Sequence, residues 1–440
     1  MPFSRIYDQR MGIVRRMEQR SLPAHMPPEL VCIVAQLADT TRFCAWPADP
    51  TATGCVWWDA TAAQHAALGE AVERYCGNLV PGNLLYASFT DCIAAGYIAL
   101  APESIPLFTD EQYRRIGFPF MRLTDTSPIH WSSGREMATG TACLVPAALV
   151  YVTYPRIDGP TYSELPTNPP MVAGIAAGCS QEAAECAALE ELIERDAVMV
   201  AWLTQTPLPR IHVPEDLAVL LCGPAGMLET TAVLFPNPYS MPVLGAFVYD
   251  ATTGITTLGA ACRPTPREAL CKAYAEAIQL QLVAHTLDDP QSMLMQAAQR
   301  RRGPLKPWRS DRAYRQSYRA DWSDVTDLLC QLQLYLDPTM RRHLDAWLVP
   351  APTIQLDEIA SAPNRSRQSY LERLLAQGIS PIAVDVTTCD IAPLGLAVVR
   401  VVAPGMCLNT PAAFPLLGAL RRSQRDTSAI ARQAPPLPYA

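Results

Sequence analysis

The chain has 440 residues, enough for two or three domain-sized units or one elaborate layered fold. Hydrophobic residues make up 49% and charged residues 18%, so a large core is expected and wholesale disorder is excluded. A net charge of -7 argues against a generic nucleic-acid binder. The first twenty residues, MPFSRIYDQRMGIVRRMEQR, are basic, but the apolar run of a signal peptide does not follow. No apolar stretch reaches the roughly 20 residues of a membrane helix. The fourteen cysteines include no C-x-x-C pair, and the closest two, Cys179 and Cys186, share a helix-forming stretch. That usage suits buried or free thiols in a reducing cytoplasm better than a disulfide framework or a zinc site.

In chain order, residues 1–50 read as an N-terminal appendage. Residues 60–77 are helical by their Ala-rich 3.6-residue pattern. Leu149–Tyr154, rich in Val and Tyr, reads as a strand, and the Pro-dense stretch from Gly159 to Pro170 as a loop. Small residues from Gly174 to Ser180 lead into a long helix over 181–203, with Ser180 placed to cap it. Leu244–Tyr249 and Ile255–Ala261 form a strand pair around a turn at Asp250–Gly254, and a helix over 267–285 follows. The basic run Arg300, Arg301, Arg302, Lys306, Arg309, Arg312, Arg315 and Arg319 is interleaved with Trp308, Tyr314, Tyr318 and Trp322. Its last four members fall at helical spacing and read as a solvated helix face. Strands at Pro381–Val386 and Ala397–Val402 come next, the second broken by Pro404-Gly405. The stretch Pro435-Pro436-Leu437-Pro438-Tyr439-Ala440 favours an extended, polyproline-like tail. Alternating helices and strands point to an α/β or α+β fold.

One pattern stands out for chemistry. The skeleton A-A-L-x-E-x-x-E-R occurs at Ala66–Arg74 and again at Ala187–Arg195. Acids three apart share one helix face, so a fold that joins the two helices gathers Glu70, Glu73, Glu191 and Glu194. A weaker third copy, Lys272-Ala273-Tyr274-Ala275-Glu276-Ala277-Ile278-Gln279, keeps the first acid only. On a lone helix, E-x-x-E-R is an ordinary solvated face. Here the acids share stripes with Ala63, Ala66 and Ala67, and with Ala184, Ala187, Val198 and Ala201, which favours a buried or cleft-lining cluster. Such a cluster needs neutralising, either by an oxygen-preferring divalent cation or by arginines in an internal salt-bridge network. Carboxylate-held magnesium would let the chain bind nucleotide phosphates without a glycine-rich loop, and neither G-x-x-x-x-G-K-[ST] nor G-x-G-x-x-G is present. The six histidines show no ligand spacing.

With these residues in place, the chain resembles the YcaO family. Gly174–Asp196 is similar to the family's second nucleotide-binding motif and Ala60–Tyr75 to its first. Asp385–Gly405 and Phe414–Gly418 resemble its C-terminal portion, and Thr126–Tyr154 resembles the subgroup that makes azoline heterocycles in peptides. The resemblance implies an α+β YcaO-like fold, with mixed sheets covered by helices and an internal helix-motif repeat. It spans residues 51–440, with a basic insert at about 295–325 and a Pro-containing tail at 433–440. It also implies an ATP-dependent cyclodehydratase acting on Cys, Ser or Thr of a ribosomally made precursor peptide. Glu70, Glu73, Glu191 and Glu194 would hold Mg2+ with ATP. Ser180, Arg74, Arg195, Lys272 and Glu276 would contact the nucleotide. The tail residues Pro436, Pro438 and Ala440 would reach the active site. Implied partners are a leader-binding E1-like or ThiF-like protein, a flavin-dependent azoline dehydrogenase and a second copy of the chain, with no nucleic acid and no membrane. The chain departs from the family pattern in four places. Gly54–Trp58 lacks the lysine of a Gly-Lys-Gly, Ala66 and Ala173 stand where Ser and Asn are frequent, and Ala183 stands where Glu is frequent. Two further readings stay open: thioamide or amidine formation by the same amide activation, and a degenerate scaffold that supports a partner enzyme.

Overall fold

The computed structural model describes residues 5–41, 50–154, 164, 166–300, 302–348, 352–362, 364–422 and 434–439. Its strands are β1 Val14–Arg20, β2 Leu30–Leu37, β3 Thr51–Trp57, β4 Leu85–Ala87, β5 Ile129–Glu136, β6 Ala142–Pro146, β7 Ile175–Gly178, β8 Arg210–His212, β9 Leu228–Leu234, β10 Val243–Asp250, β11 Ile255–Cys262, β12 Thr353–Gln355, β13 Ile382–Asp385 and β14 Ala397–Val402. They form three open sheets of order β1-β2-β3, β11-β10-β9-β8-β12 and β4-β5-β13-β14-β7, with β6 paired to β5. The residues before 51 thus supply two strands whose sheet continues into β3, with Leu30 opposite Trp57 and Gln36 opposite Thr51.

Each sheet contributes one edge strand that runs directly into a long helix: β3 into Ala60–Asn78, β7 into Gln181–Leu203 and β11 into Pro266–Leu287. These are the three motif helices. Each begins on a capping side chain, Asp59 taking the N–H of Ala62, Ser180 that of Ala183 and Thr265 that of Glu268. Such caps stabilise a helix by about 1 kcal/mol each. Two of the strands carry a glycine where the helix folds back most closely. A Cβ on Gly54 would strike the Ala63 carbonyl, and one on Gly259 would strike the Ala273 carbonyl. The third helix lies on β10 and β11, where its buried Gln281 donates to the carbonyls of Val248 and Ile255 at 3.1 Å each.

The sheet that carries β7 is held by a buried arginine. Arg400 of β14 is 1% exposed, and its guanidinium donates to Val150 O at 2.9 Å, Met171 O at 2.8 Å, Val172 O at 3.3 Å and Ala173 O. Burial lowers its pKa to about 10, so it stays charged at neutral pH, balanced by carbonyl dipoles and the charge of Glu191. These bonds fix the segment that leads into the second motif helix.

The structure corrects three expectations. Leu149–Tyr154 is not a strand. Pro146 ends β6, the chain turns through a short helix at Ala147–Val150, and Val152 N–H then docks on the Gly77 carbonyl at 2.9 Å. The basic run is not a helix face either. Among its described residues only Tyr314–Gln316 forms a 3-10 turn, because burying Tyr314, Tyr318 and Trp322 overrides the 3.6-residue spacing of the arginines. The cations are instead paired one by one: Lys306 with Asp324 at 2.6 Å, Arg309 with Asp311 at 2.6 Å, Arg312 with Asp288, and Arg315 over the Trp322 ring at 4.3 Å. Finally, Cys32 and Cys55 face each other across β2 and β3 and form a disulfide. Only the strand register brings these two cysteines together. Of the loop from Gly159 to Pro170, Glu164 and residues from Pro166 onward lie within the described residues.

Replacing Arg400 with Met should cost about 3–5 kcal/mol, because four carbonyls lose their only common donor. A urea titration of the two proteins should show the variant's midpoint falling well below the parent's.

Candidate functional site

The first two motif helices and β7 bring the repeated acids together. Glu70 accepts the N–H of Thr53 in β3 at 2.8 Å and pairs with Arg74 at 2.7 Å. Glu73 accepts the N–H of Ala177 in β7 at 2.8 Å. Glu191 accepts the N–H of Gly174, just before β7, at 2.9 Å, with Arg195 at 3.7 Å. Glu194 is buried and takes Arg195 Nε at 3.4 Å. The first acid of both motifs therefore binds the N–H of the residue seventeen positions earlier, on or just before the strand that precedes its own helix.

That spacing shows that the repeat is larger than the ten residues legible as sequence. Asp59, Ser180 and Thr265 are equivalent caps, and Glu70, Glu191 and Glu276 each follow their cap by eleven residues. The unit is strand, cap and helix, present three times. In the third copy Glu276 pairs with Lys272 at 3.2 Å, and its charge reaches both Glu194 and Arg195.

The electrostatics follow from this packing. Burial pushes the Glu73 carboxyl up to about 8, opposed by the Ala177 N–H and reinforced by the charges of Glu70 and Glu191. Burial likewise pushes Glu194 up to about 7, with Arg195 pulling down and Glu276 pushing up. Arg195 is held strongly protonated by the anionic groups around it, despite its burial.

The tail enters the same place. Residues 434–439 run extended through the interior: Trp202 Nε1 donates to Pro435 O at 2.9 Å, the Tyr335 hydroxyl to Pro436 O at 2.9 Å and Leu258 N–H of β11 to Pro438 O at 2.9 Å. The Tyr439 hydroxyl then donates to Glu194 at 2.5 Å, and the Arg195 guanidinium lies 4.4 Å from the centre of its ring. Tyr439 was not among the residues singled out from sequence. Its signal was a phenol within the tail, with no motif to mark it. Ala440 lies outside the described residues. Pro436 and Pro438 are buried, and both act through their carbonyls.

Ser180 is occupied as a helix cap, and Ala66 and Ala183 are exposed without a polar group to offer. Within Gly54–Trp58, which lacks the family's lysine, Trp57 donates its indole N–H to Cys271 O at 3.0 Å and stacks on Tyr274 at 5.7 Å. His130 is satisfied by Glu164 and by the Tyr154 hydroxyl at 2.8 Å. Among the described residues no three acids converge on one point closely enough to enclose a cation. The donor set nevertheless fits an oxygen-preferring divalent cation. Five carboxylates interact across three helices, and two of them, Glu73 and Glu194, are driven toward protonation by burial and by the neighbouring acids.

These raised pKa values carry a sign. Each such carboxyl binds its proton more tightly folded than unfolded, so its contribution to stability is lost as pH rises through the folded value. Without divalent cations, stability should fall between about pH 5 and 8, and Glu73→Gln should flatten the upper part of that fall. Added Mg2+ should restore stability more at pH 8 than at pH 6. Unfolding midpoints across pH, with EDTA or with Mg2+, check both statements.

The family model described as YcaO cyclodehydratase, ATP- and Mg2+-binding, matches residues 59–407. No protein of curated function matches the chain. Among solved structures, a heterocyclase in complex with substrate and cofactor superposes with a TM-score of 0.69 at 17% identity, covering 99% of this chain and 56% of its own. The YcaO protein of Methanopyrus kandleri bound with AMPPCP and Mg2+ gives 0.59 at 18% identity and 91% coverage of both chains. The E. coli microcin synthetase McbBCD complex gives 0.61 at 13% identity and 96% coverage of both. The chain therefore spans about half the length of the first heterocyclase and nearly all of the other two. At these identities the likeness speaks for the fold, an α+β arrangement of open mixed sheets covered by helices. With the family model covering most of its length, the chain belongs to the YcaO family.

Proposed function

We propose that this chain is an ATP-dependent peptide cyclodehydratase. A Cys, Ser or Thr side chain of a ribosomally made precursor adds to the preceding backbone carbonyl. The oxygen so formed takes a phosphoryl group from ATP and leaves as phosphate, giving a thiazoline or oxazoline with net loss of water. An amide oxygen is a very poor leaving group, and phosphorylation makes it a good one.

The observation that carries this reading is the meeting of the tail with the motif acids. Tyr439 bonds Glu194 while Arg195 covers its ring. In this reading Glu70, Glu73, Glu191 and Glu194 hold Mg2+, which offsets charge on the transferred phosphoryl group. Arg74, Arg195, Lys272, Glu276 and Ser180 orient the nucleotide. The tail, through Pro436, Pro438 and Tyr439, shapes the side on which the peptide lies, with Ala440 beyond it. A leader-binding E1-like or ThiF-like protein, a flavin-dependent azoline dehydrogenase, a second copy of the chain and a cytoplasmic setting belong to the same reading. It is supported by a structural neighbour that is a McbBCD complex with pro-MccB17 bound. Among the described residues no helix is long and apolar enough to cross a membrane.

Two other readings have their own support. The exposed alanines at 66 and 183 and the lack of a lysine in Gly54–Trp58 favour a scaffold with weakened nucleotide contacts. The same phosphoryl activation with an external sulfur or amine donor would give thioamides or amidines.

The cyclodehydratase should convert a precursor, with its partner present, to a product lighter by one water per ring, releasing ADP and phosphate. No mass loss and no phosphate release would overturn the reading, and a gain of sulfur would move it to thioamide formation. Mg-ATP titration separates enzyme from scaffold. Glu191→Gln should weaken binding by about tenfold or more, and Tyr439→Phe should lower turnover more than nucleotide affinity.

A further inference from the structure

Beside the acid cluster, four arginines converge on two other carboxylates of the second motif helix. Glu190 is 1% exposed. It receives a two-pronged contact from Arg365 at 2.8 and 3.0 Å, Arg263 at 3.4 Å and the Tyr370 hydroxyl at 2.5 Å. Glu185, also 1% exposed, receives Arg135 and Arg367 at 3.3 Å each and the Gln181 amide at 2.8 Å. A buried carboxylate needs one cation for neutrality, and each of these has two. The patch therefore carries more arginines than the buried carboxylates they bind, on a chain of net charge -7.

The guanidiniums are anchored from below and open above. Their side chains remain 37% exposed at Arg135, 30% at Arg263, 51% at Arg365 and 35% at Arg367. Each has five N–H donors in a planar fork suited to carboxylates, and the buried anchors use only part of that set. The patch also borders the candidate active site. Glu190 lies one helical turn before Glu194, the Cys262 thiol feels the charge of both, and Arg263 follows Cys262 directly.

Charge and donor geometry select the ligand. Two arginines stand on each of two buried carboxylates of one helix, and a planar guanidinium fork suits a carboxylate. In the reading above the nucleotide belongs to the neighbouring acid cluster, which leaves these arginines for the peptide. We propose that Arg135, Arg263, Arg365 and Arg367 form a docking site for an acidic segment of the peptide substrate, next to the residue to be modified. This rests on the peptide-modifying reading above.

The test uses the full chain and labelled decapeptides of alternating Glu-Thr, Gln-Thr and Lys-Thr, followed by fluorescence anisotropy at low salt. The Glu-Thr peptide should bind at least about tenfold tighter than the Gln-Thr peptide, weaken with added salt, and bind in the presence of saturating Mg-ATP. Arg135→Gln with Arg367→Gln should reduce it to the Gln-Thr level at an unchanged urea midpoint. Should that pair unfold, Arg135→Lys with Arg367→Lys keeps the charge while removing the fork, and should give intermediate binding. Equal binding of the Glu-Thr and Gln-Thr peptides would overturn the proposal. So would competition by Mg-ATP, which would assign the arginines to the nucleotide, and so would full binding retained by a folded variant. Loss of Mg-ATP binding alone would sink the cyclodehydratase reading and leave this measurement intact.

Discussion

Placing several carboxylates within a few ångströms of one another in a protein interior is unfavourable, and most of this architecture can be understood as the means of doing it. Each motif helix starts from an edge strand, and β3 and β7 with the residue before it supply backbone N–H groups to the acids: Thr53 to Glu70, Ala177 to Glu73, Gly174 to Glu191. Arg74 and Arg195 supply charge. Even so, Glu73 and Glu194 are left titrating near neutrality, with burial the largest cause for each. A site in this condition is drawn toward accepting positive charge, which is the physical basis of the cation proposed for it.

The same economy recurs around the cluster. Arg400 is neutralised by carbonyls where a carboxylate might have been expected, so it fixes the approach to β7 without adding another acid near Glu191. Asp196, adjacent to Arg195 in sequence, is drawn away from the cluster by the Tyr239 hydroxyl and the Cys407 N–H, both at 2.7 Å. Neighbouring acids on one helix thus take different work according to which element faces them: Glu185 and Glu190 hold arginines, while Glu191 and Glu194 hold the cluster.

Much of this was legible in the sequence, and for identifiable reasons. The three long helices and the β10–β11 hairpin follow from periodicity and capping, and the acid pairs from direct repetition. The wider repeat of strand, cap and helix was not legible. Backbone N–H groups leave no mark in a sequence, and Asp59, Ser180 and Thr265 are different residues doing one job. The strand expected at Leu149–Tyr154 failed because Pro146 and the core position of Val150 outweigh β-propensity. The arginine spacing after Lys306 failed because aromatic burial sets that segment's path. The Cys32–Cys55 pair depends on register, and Tyr439 depends on where residues 434–439 are drawn by contacts hundreds of positions earlier.

That last dependence reaches into how the protein is made. The contact between Tyr439 and Glu194 closes a separation of 245 residues, and the tail also lies against Trp202, Leu258 and Tyr335. During synthesis the motif helices emerge and can pack well before the phenol exists. For that interval the acids are assembled but uncovered, and Arg195 lacks its aromatic roof. Completion of the pocket is therefore a late event in the life of each molecule. A chain interrupted upstream of the tail carries every recognisable motif and still lacks the finished interior.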